Sequence, residues 1–349
     1  MSKARLVTIA LMTVMTLGTV TPVTNVNAAT IKVASKASQK NKQRALYAAA
    51  KKMMKHNRNG VSGKAKIFSK KAYPATGAAS GYSDFLLGLK KQGYKFTAVQ
   101  KKMVKKNLIV SSKSDPAVLA NAIIGLQAMG INPKAYQSVG TKHKVNLVTT
   151  LYKKSLTKQT VNIQSQALIA VSSNKTFKRP SKAKFSKTSL SNRIAKDQQS
   201  NHGWAYNNTV AGVDSDTTAV AVNALTMGRS QRKLVTVATK NGRAYLKKAV
   251  YKSGAFGYSY NGKNFANANS TAEAIVGLAT NKAAFSLINH TAIKRGQQAT
   301  PLRAMNAYVT AKGTVKGAMD SVLAYGQVSL ANSAYHNGKY TNKLIYTFK

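Results

Sequence analysis

The 349-residue chain has no cysteine, which excludes a disulfide framework, a cysteine nucleophile and any thiolate-bound zinc or iron–sulfur centre. Acids are nearly as scarce: 7 Asp plus Glu stand against 55 Lys plus Arg, a formal net charge of +48. So few carboxylates, spread along the whole chain, leave little material for an acid-rich cation cage. The five His (His56, His143, His202, His290, His336) are far apart, and none has a partner four residues away that would make a helix-borne metal pair. No metal or cofactor is implied. Hydrophobic residues, by contrast, make up 44%, ample for a packed core, so wholesale disorder is excluded as well. A positive field of this size attracts polyanions.

Only one long apolar run is present. Lys3 and Arg5 precede Leu6–Val20, and the small-residue stretch Val26-Asn27-Ala28 follows, the order of a secretory signal peptide over residues 1–28. The competing reading, a membrane anchor, fits worse: the run holds several Thr, is short, and lacks a positive stop-transfer flank. Cleavage removes two basic residues and no acid, leaving +46. The expected product is secreted, with no integral span, and held at the cell surface or cell wall. Export without cysteine suits a Gram-positive bacterium and makes nucleic acid an unexpected partner.

Residues 29–60 form a basic N-terminal segment with a helical stretch around 43–56. From there one pattern recurs through the domain 61–349. Asp115-Pro116 opens an apolar helix that Gly130 can close, and Asp216-Thr217-Thr218-Ala219 opens a second closed by Gly228. Ser270-Thr271-Ala272-Glu273 opens a third, with weaker copies at Gln166 and Asp320 and an earlier one at Ser83-Asp84. A repeat of about fifty residues reads as stacked helix pairs. Small residues at Ala122, Gly125, Ala221, Ala224, Ala274 and Gly277 permit close helix approach. The expected class is all-α, an α/α toroid of about six helical hairpins, with an open right-handed solenoid as the alternative.

Acids at five helix starts read as caps. Asp115 and Asp216 resemble N-caps, Ser270 with Glu273 matches the S-x-x-E capping box, and Asp84 and Asp320 sit at equivalent starts. Asp197 and Asp214 lack that role.

The segment Gln198-Gln199-Ser200-Asn201-His202-Gly203-Trp204, followed by Asp214-Ser215-Asp216-Thr217-Thr218-Ala219, resembles the repeat of the terpene cyclase/prenyltransferase α/α-toroid superfamily. A second copy runs from Ser253-Gly254-Ala255-Phe256 to Ser270-Thr271-Ala272. The resemblance implies a barrel of about six helical hairpins, and a secreted, non-catalytic bacterial member. Catalytic relatives carry features missing here: the zinc-binding Cys of prenyltransferases, and the full D-x-D-D acid motif of class II cyclases, of which Asp214 and Asp216 are two of three. The cation-stabilising aromatics of those cyclases are thin too, with 1 Trp, 9 Phe and 16 Tyr in no dense cluster.

Candidate catalytic residues are accordingly His202, Asp214 and Asp216, each with a plain turn or cap reading beside it. The densest basic tract, Lys175, Lys178, Arg179, Lys182, Lys184 and Lys187, reads as an exposed loop around Pro180 and a candidate polyanion-binding site. The expected activity is non-catalytic binding of anionic envelope polymers such as teichoic acid, or of acidic glycans, including host polyanions. The alternatives are a lyase-like enzyme on an acidic polysaccharide, with Tyr206, Tyr258, Tyr260 and His202 as proton-moving groups, and a small-ligand carrier using the toroid cavity.

Overall fold

A computed structural model describes residues 30–56, 79–108, 110–138, 142–206, 209–260, 263–318, 321–341 and 343–348. The leader 1–28 and Asp320 lie outside the described residues. By contacts the chain divides into Met1–Thr30 and one unit, Ile31–Lys349.

Helices dominate the second unit: α1 (Lys36–His56), α2 (Ala79–Lys91), α3 (Ala98–Asn107), α4 (Pro116–Ala128), α5 (Leu147–Tyr152), α6 (Val161–Ser172) and α7 (Lys187–Lys196). Then come α8 (Ser215–Gly228), α9 (Lys233–Ala249), α10 (Ala268–Leu278), α11 (Phe285–Asn289), α12 (Pro301–Ala307) and α13 (Ser321–Thr341). Two antiparallel hairpins interrupt them. In the first, β1 (Trp204–Ala205) pairs with β2 (Val213–Asp214), and in the second β3 (Phe256–Tyr260) pairs with β4 (Lys263–Asn267).

Packing sorts the helices into two sets. α2 packs on α4, α4 on α6, α6 on α8, α8 on α10 and α10 on α13, and α13 returns to α2, so the succession closes on itself. Six others flank it: α5 touches α4 and α6, α7 touches α6 and α8, α9 touches α8, α11 and α12 touch α10, and α1 touches α13. Each repeat copy seen in the sequence lies on one of the six successive helices. Their composition explains the sorting. In α4 every residue but Gln127 is buried, as a helix that is apolar all round must be. α9 instead buries one stripe, Val235, Ala238, Thr239, Gly242 and Leu246, and turns its lysines outward. Small residues set the spacing: a Cβ added at Gly277 would lie 2.9 Å from Ala219 Cα, so α8 and α10 approach backbone to backbone.

The cap assignments need correction. Asp214, not Asp216, is the N-cap of α8; its carboxylate accepts from Thr217 N at 2.6 Å and Thr217 Oγ1 at 2.8 Å. Asn267, not Ser270, caps α10 by accepting from Ser270 N at 2.8 Å, so Glu273 belongs to no capping box. Asp115 occupies the N-cap of α4 but makes no side-chain cap bond, and Asp84 is the sixth residue of α2. The closing residues differ in part as well. Gly130 adopts the left-handed conformation (φ 72°), whereas at the end of α8 that conformation falls on Arg229 (φ 53°). Gly228 serves close packing instead, since a Cβ there would meet Ser191 Oγ at 2.6 Å.

Candidate functional site

The hairpins set the register of two of the six helices. Trp204 N–H donates to Thr218 Oγ1 at 3.0 Å, and Phe256 N–H donates to Thr271 Oγ1 at 3.0 Å, so each strand is pinned to the helix that follows. With the starts fixed, the sixth residues of α2, α4, α6, α8 and α10 are Asp84, Asn121, Gln166, Val220 and Glu273. Together with Gln327 of α13 they line one cavity of about 170 Å³. One turn earlier, Asn162 of α6 and Asp216 of α8 face the same space, as the i, i+4 spacing of a helix face requires.

Hydrogen bonds knit this lining. Ser83 Oγ donates to Asn121 Oδ1 (3.1 Å), Asn121 Nδ2 to Gln166 Oε1 (3.3 Å), and Gln166 Nε2 to Asn162 Oδ1 (3.1 Å). Across the cavity Ser270 Oγ and Ser215 Oγ donate to Asp216, each at 3.1 Å. Gln327 Nε2 donates to Glu273 Oε1 at 2.7 Å, and Tyr346, from the C-terminal tail, donates to Asp84 Oδ1 at 3.1 Å.

Three of the seven acids thus meet in one space, and among the described residues no Lys or Arg lines it. The electrostatic consequence is large. Burial pushes the Asp84 carboxyl up to about 7, partly offset by the Tyr346 hydroxyl. Asp216 rises to about 6, first by burial and then by repulsion from Asp214. Glu273 rises well above the ordinary carboxylate range through burial, with Asp84 and Asp216 adding repulsion. Asp216 retains some exposed surface because it faces the cavity, although protein otherwise encloses it. Among the described residues, no group of three or more His, Cys, Asp or Glu could hold a metal ion.

The three catalytic candidates part company. His202 sits exposed in a turn, with φ 72°, two residues before the strand partner of Asp214. Asp214 is occupied as a cap, and only Asp216 reaches the cavity. Assigning Asp84 and Glu273 to caps hid two members of the site. Asn121, Gln166, Gln327 and Tyr346 were missed too, and the signal for the amides was polar side chains inside otherwise apolar helices.

The basic tract is the connection between α6 and α7. Phe177 and Phe185 are buried and hold it down, Phe185 packing 5.1 Å from the Tyr152 ring, while Lys184 N–H donates to Tyr152 O at 2.8 Å. Lys175, Lys178, Arg179, Lys182 and Lys184 project from that anchored loop. Lys187 is half-buried at the start of α7, where burial and then Arg229 lower its pKa. Tyr206 and Tyr258 are exposed, and Tyr258 stacks on Phe265 at 5.2 Å.

The sequence matches no family model, and no curated protein matches it. Solved structures with a similar helical arrangement include type II terpene cyclases. One is the cyclase MstE from Scytonema without ligand, at 13% identity and a TM-score of 0.44, covering 86% of this chain and 99% of that one. Another is an arginine-to-alanine variant of MstE in complex with its substrate geranylgeranyl dihydroxybenzoate, at 12% identity and a TM-score of 0.48, covering 86% and 98%. These are likenesses of helical arrangement alone.

Proposed function

We propose that this protein is an exported, strongly cationic surface protein, built as an α/α toroid of about six helical hairpins, that binds anionic envelope polymers or acidic glycans without catalysis. The closed succession α2–α4–α6–α8–α10–α13 supports the toroid. One observation carries the binding reading: the acids are turned inward. Of the described carboxylates, Asp84 and Glu273 are buried, Asp197, Asp214 and Asp216 are half-buried, and Asp115 alone is exposed. Surface lysines therefore meet solvent with almost no compensating charge, and a polyanion relieves their mutual repulsion. The anchored tract Lys175, Lys178, Arg179, Lys182 and Lys184 presents five such cations on a loop that need not order on binding.

The test is retention on isolated Gram-positive cell walls. Binding should be full near 0.1 M salt and lost near 1 M, where the Debye length falls from roughly 10 Å to about 3 Å. Replacing Lys178, Arg179, Lys182 and Lys184 together by Gln should shift release to lower salt. Retention through the high-salt wash would refute charge-driven attachment, and depolymerisation of an acidic glycan by the wild type would refute the non-catalytic reading.

A further inference from the structure

We propose that the central cavity is a binding site for a short aliphatic diamine in its diammonium form, held by Asp84, Asp216 and Glu273. The inference is independent of the surface reading above.

The cavity is rich in acceptors and poor in charge balance. Each ionised carboxyl offers about four lone-pair sites. The hydrogen bonds given above fill one on Asp84, two on Asp216 and one on Glu273. Asp84 Oδ2 and Glu273 Oε2, on cavity-lining side chains each only 8% exposed, receive none of these bonds. A buried acceptor left unpaired costs its full desolvation penalty. A ligand that fills them must supply N–H or O–H groups and positive charge, and an ammonium supplies both.

Geometry and size narrow the class. The three carboxyls do not form a group that could hold one metal ion, so a compact divalent cation cannot answer all of them. They flank a space whose wall also carries Ile124, Ile169 and Val220, apolar surface suited to methylenes. A cavity of about 150 Å³ accepts benzene, so the 170 Å³ here suits a molecule of about six heavy atoms. A four-carbon diamine has that size, with a charged donor at each end.

Calorimetric titration of the mature protein with 1,4-diaminobutane tests this. One equivalent should bind, and Asp216→Asn and Glu273→Gln should each weaken binding by about tenfold or more. Tetramethylammonium, which has charge and no N–H, and 1,4-butanediol, which has donors and no charge, should bind at least about tenfold more weakly. Raising salt should leave the affinity level or tighten it, because salt screens the distant surface lysines more than the buried contacts. Absence of diamine binding to the folded wild type overturns the proposal. So does equal binding of butanediol, which would define a neutral polyol site, or affinity that survives both substitutions, which would place the diamine elsewhere.

Discussion

Replacing Asp84 by Asn should stabilise the protein at alkaline pH and leave it nearly unchanged in acid. In the unfolded chain this carboxyl ionises near 3.8, whereas burial in the fold raises it to about 7. Between those values the native state holds a proton that the unfolded state has released. Stability therefore falls as pH rises through that window and levels off above it. The difference in ionisation corresponds to about 4 kcal/mol of lost stability at full ionisation, an upper bound because local relaxation lowers it. Asn retains an acceptor for the Tyr346 hydroxyl, 3.1 Å away, and never ionises. Near pH 4.5 wild type and variant should agree within about 1 kcal/mol, and near pH 8 the variant should lead by about 2–4 kcal/mol. Urea denaturation in amine-free buffer measures this. Trp204, the single Trp and fully buried, gives a clean fluorescence signal. Comparing the pair cancels the titration of the surface lysines and histidines. A difference that stays constant from pH 4.5 to 8, or a variant less stable at pH 8, would refute an ionisable, desolvated Asp84.

Two further outcomes follow from the packing and the caps. Asp214→Ala should cost about 1–2 kcal/mol in thermal or urea unfolding, because it removes both cap bonds to Thr217. Asp115→Ala, which breaks no side-chain cap bond, should stay within about 0.5 kcal/mol; equal losses in the two would contradict the cap correction. Gly242→Ala should destabilise and shift the Trp204 emission, since its Cβ would lie 2.5 Å from Trp204 Cζ3 and 2.7 Å from Val222 Cγ2. Overpacking of that kind costs about 1–3 kcal/mol, against a gain in helix propensity of about 1 kcal/mol. A more stable variant with unchanged emission would show that α9 simply moves away.

Periodicity made the helices legible because the repeat copies are apolar all round and their Gly and Ala positions recur. The boundaries were not legible, and the site depends on them. In Asp214-Ser215-Asp216-Thr217 either acid satisfies the local rule for an N-cap. Pairing of Trp204 with Asp214, ten residues apart, holds Asp214 extended (φ −134°) and starts the helix one residue later. Pairing of Phe256 with Asn267 does the same for α10 and displaces the Ser270–Glu273 capping box. A shift of two or three residues thus turns a surface cap into a cavity carboxyl. Asp84 was obscured differently: its partner Tyr346 lies at the other end of the chain, so no local window holds both.

The choice of side chains in the cavity bears on whether it serves the fold or a ligand. Asn121, Gln166 and Gln327 already bridge neighbouring helices as neutral amides at the same depth. Asn or Gln at 84, 216 and 273 would accept from Tyr346, Ser270 and Gln327 as well, without the desolvation of a buried charge. Carboxyls there lower stability at neutral pH, and they do so in a chain that has only 7 acids to place. Native folds keep residues that cost stability mainly where a function needs them. Were the acids structural, their natural place would be beside surface lysines or at open helix N-termini, where ionisation costs nothing. Their convergence on one space, with no basic residue lining it among the described residues, is the arrangement a cationic ligand would complete.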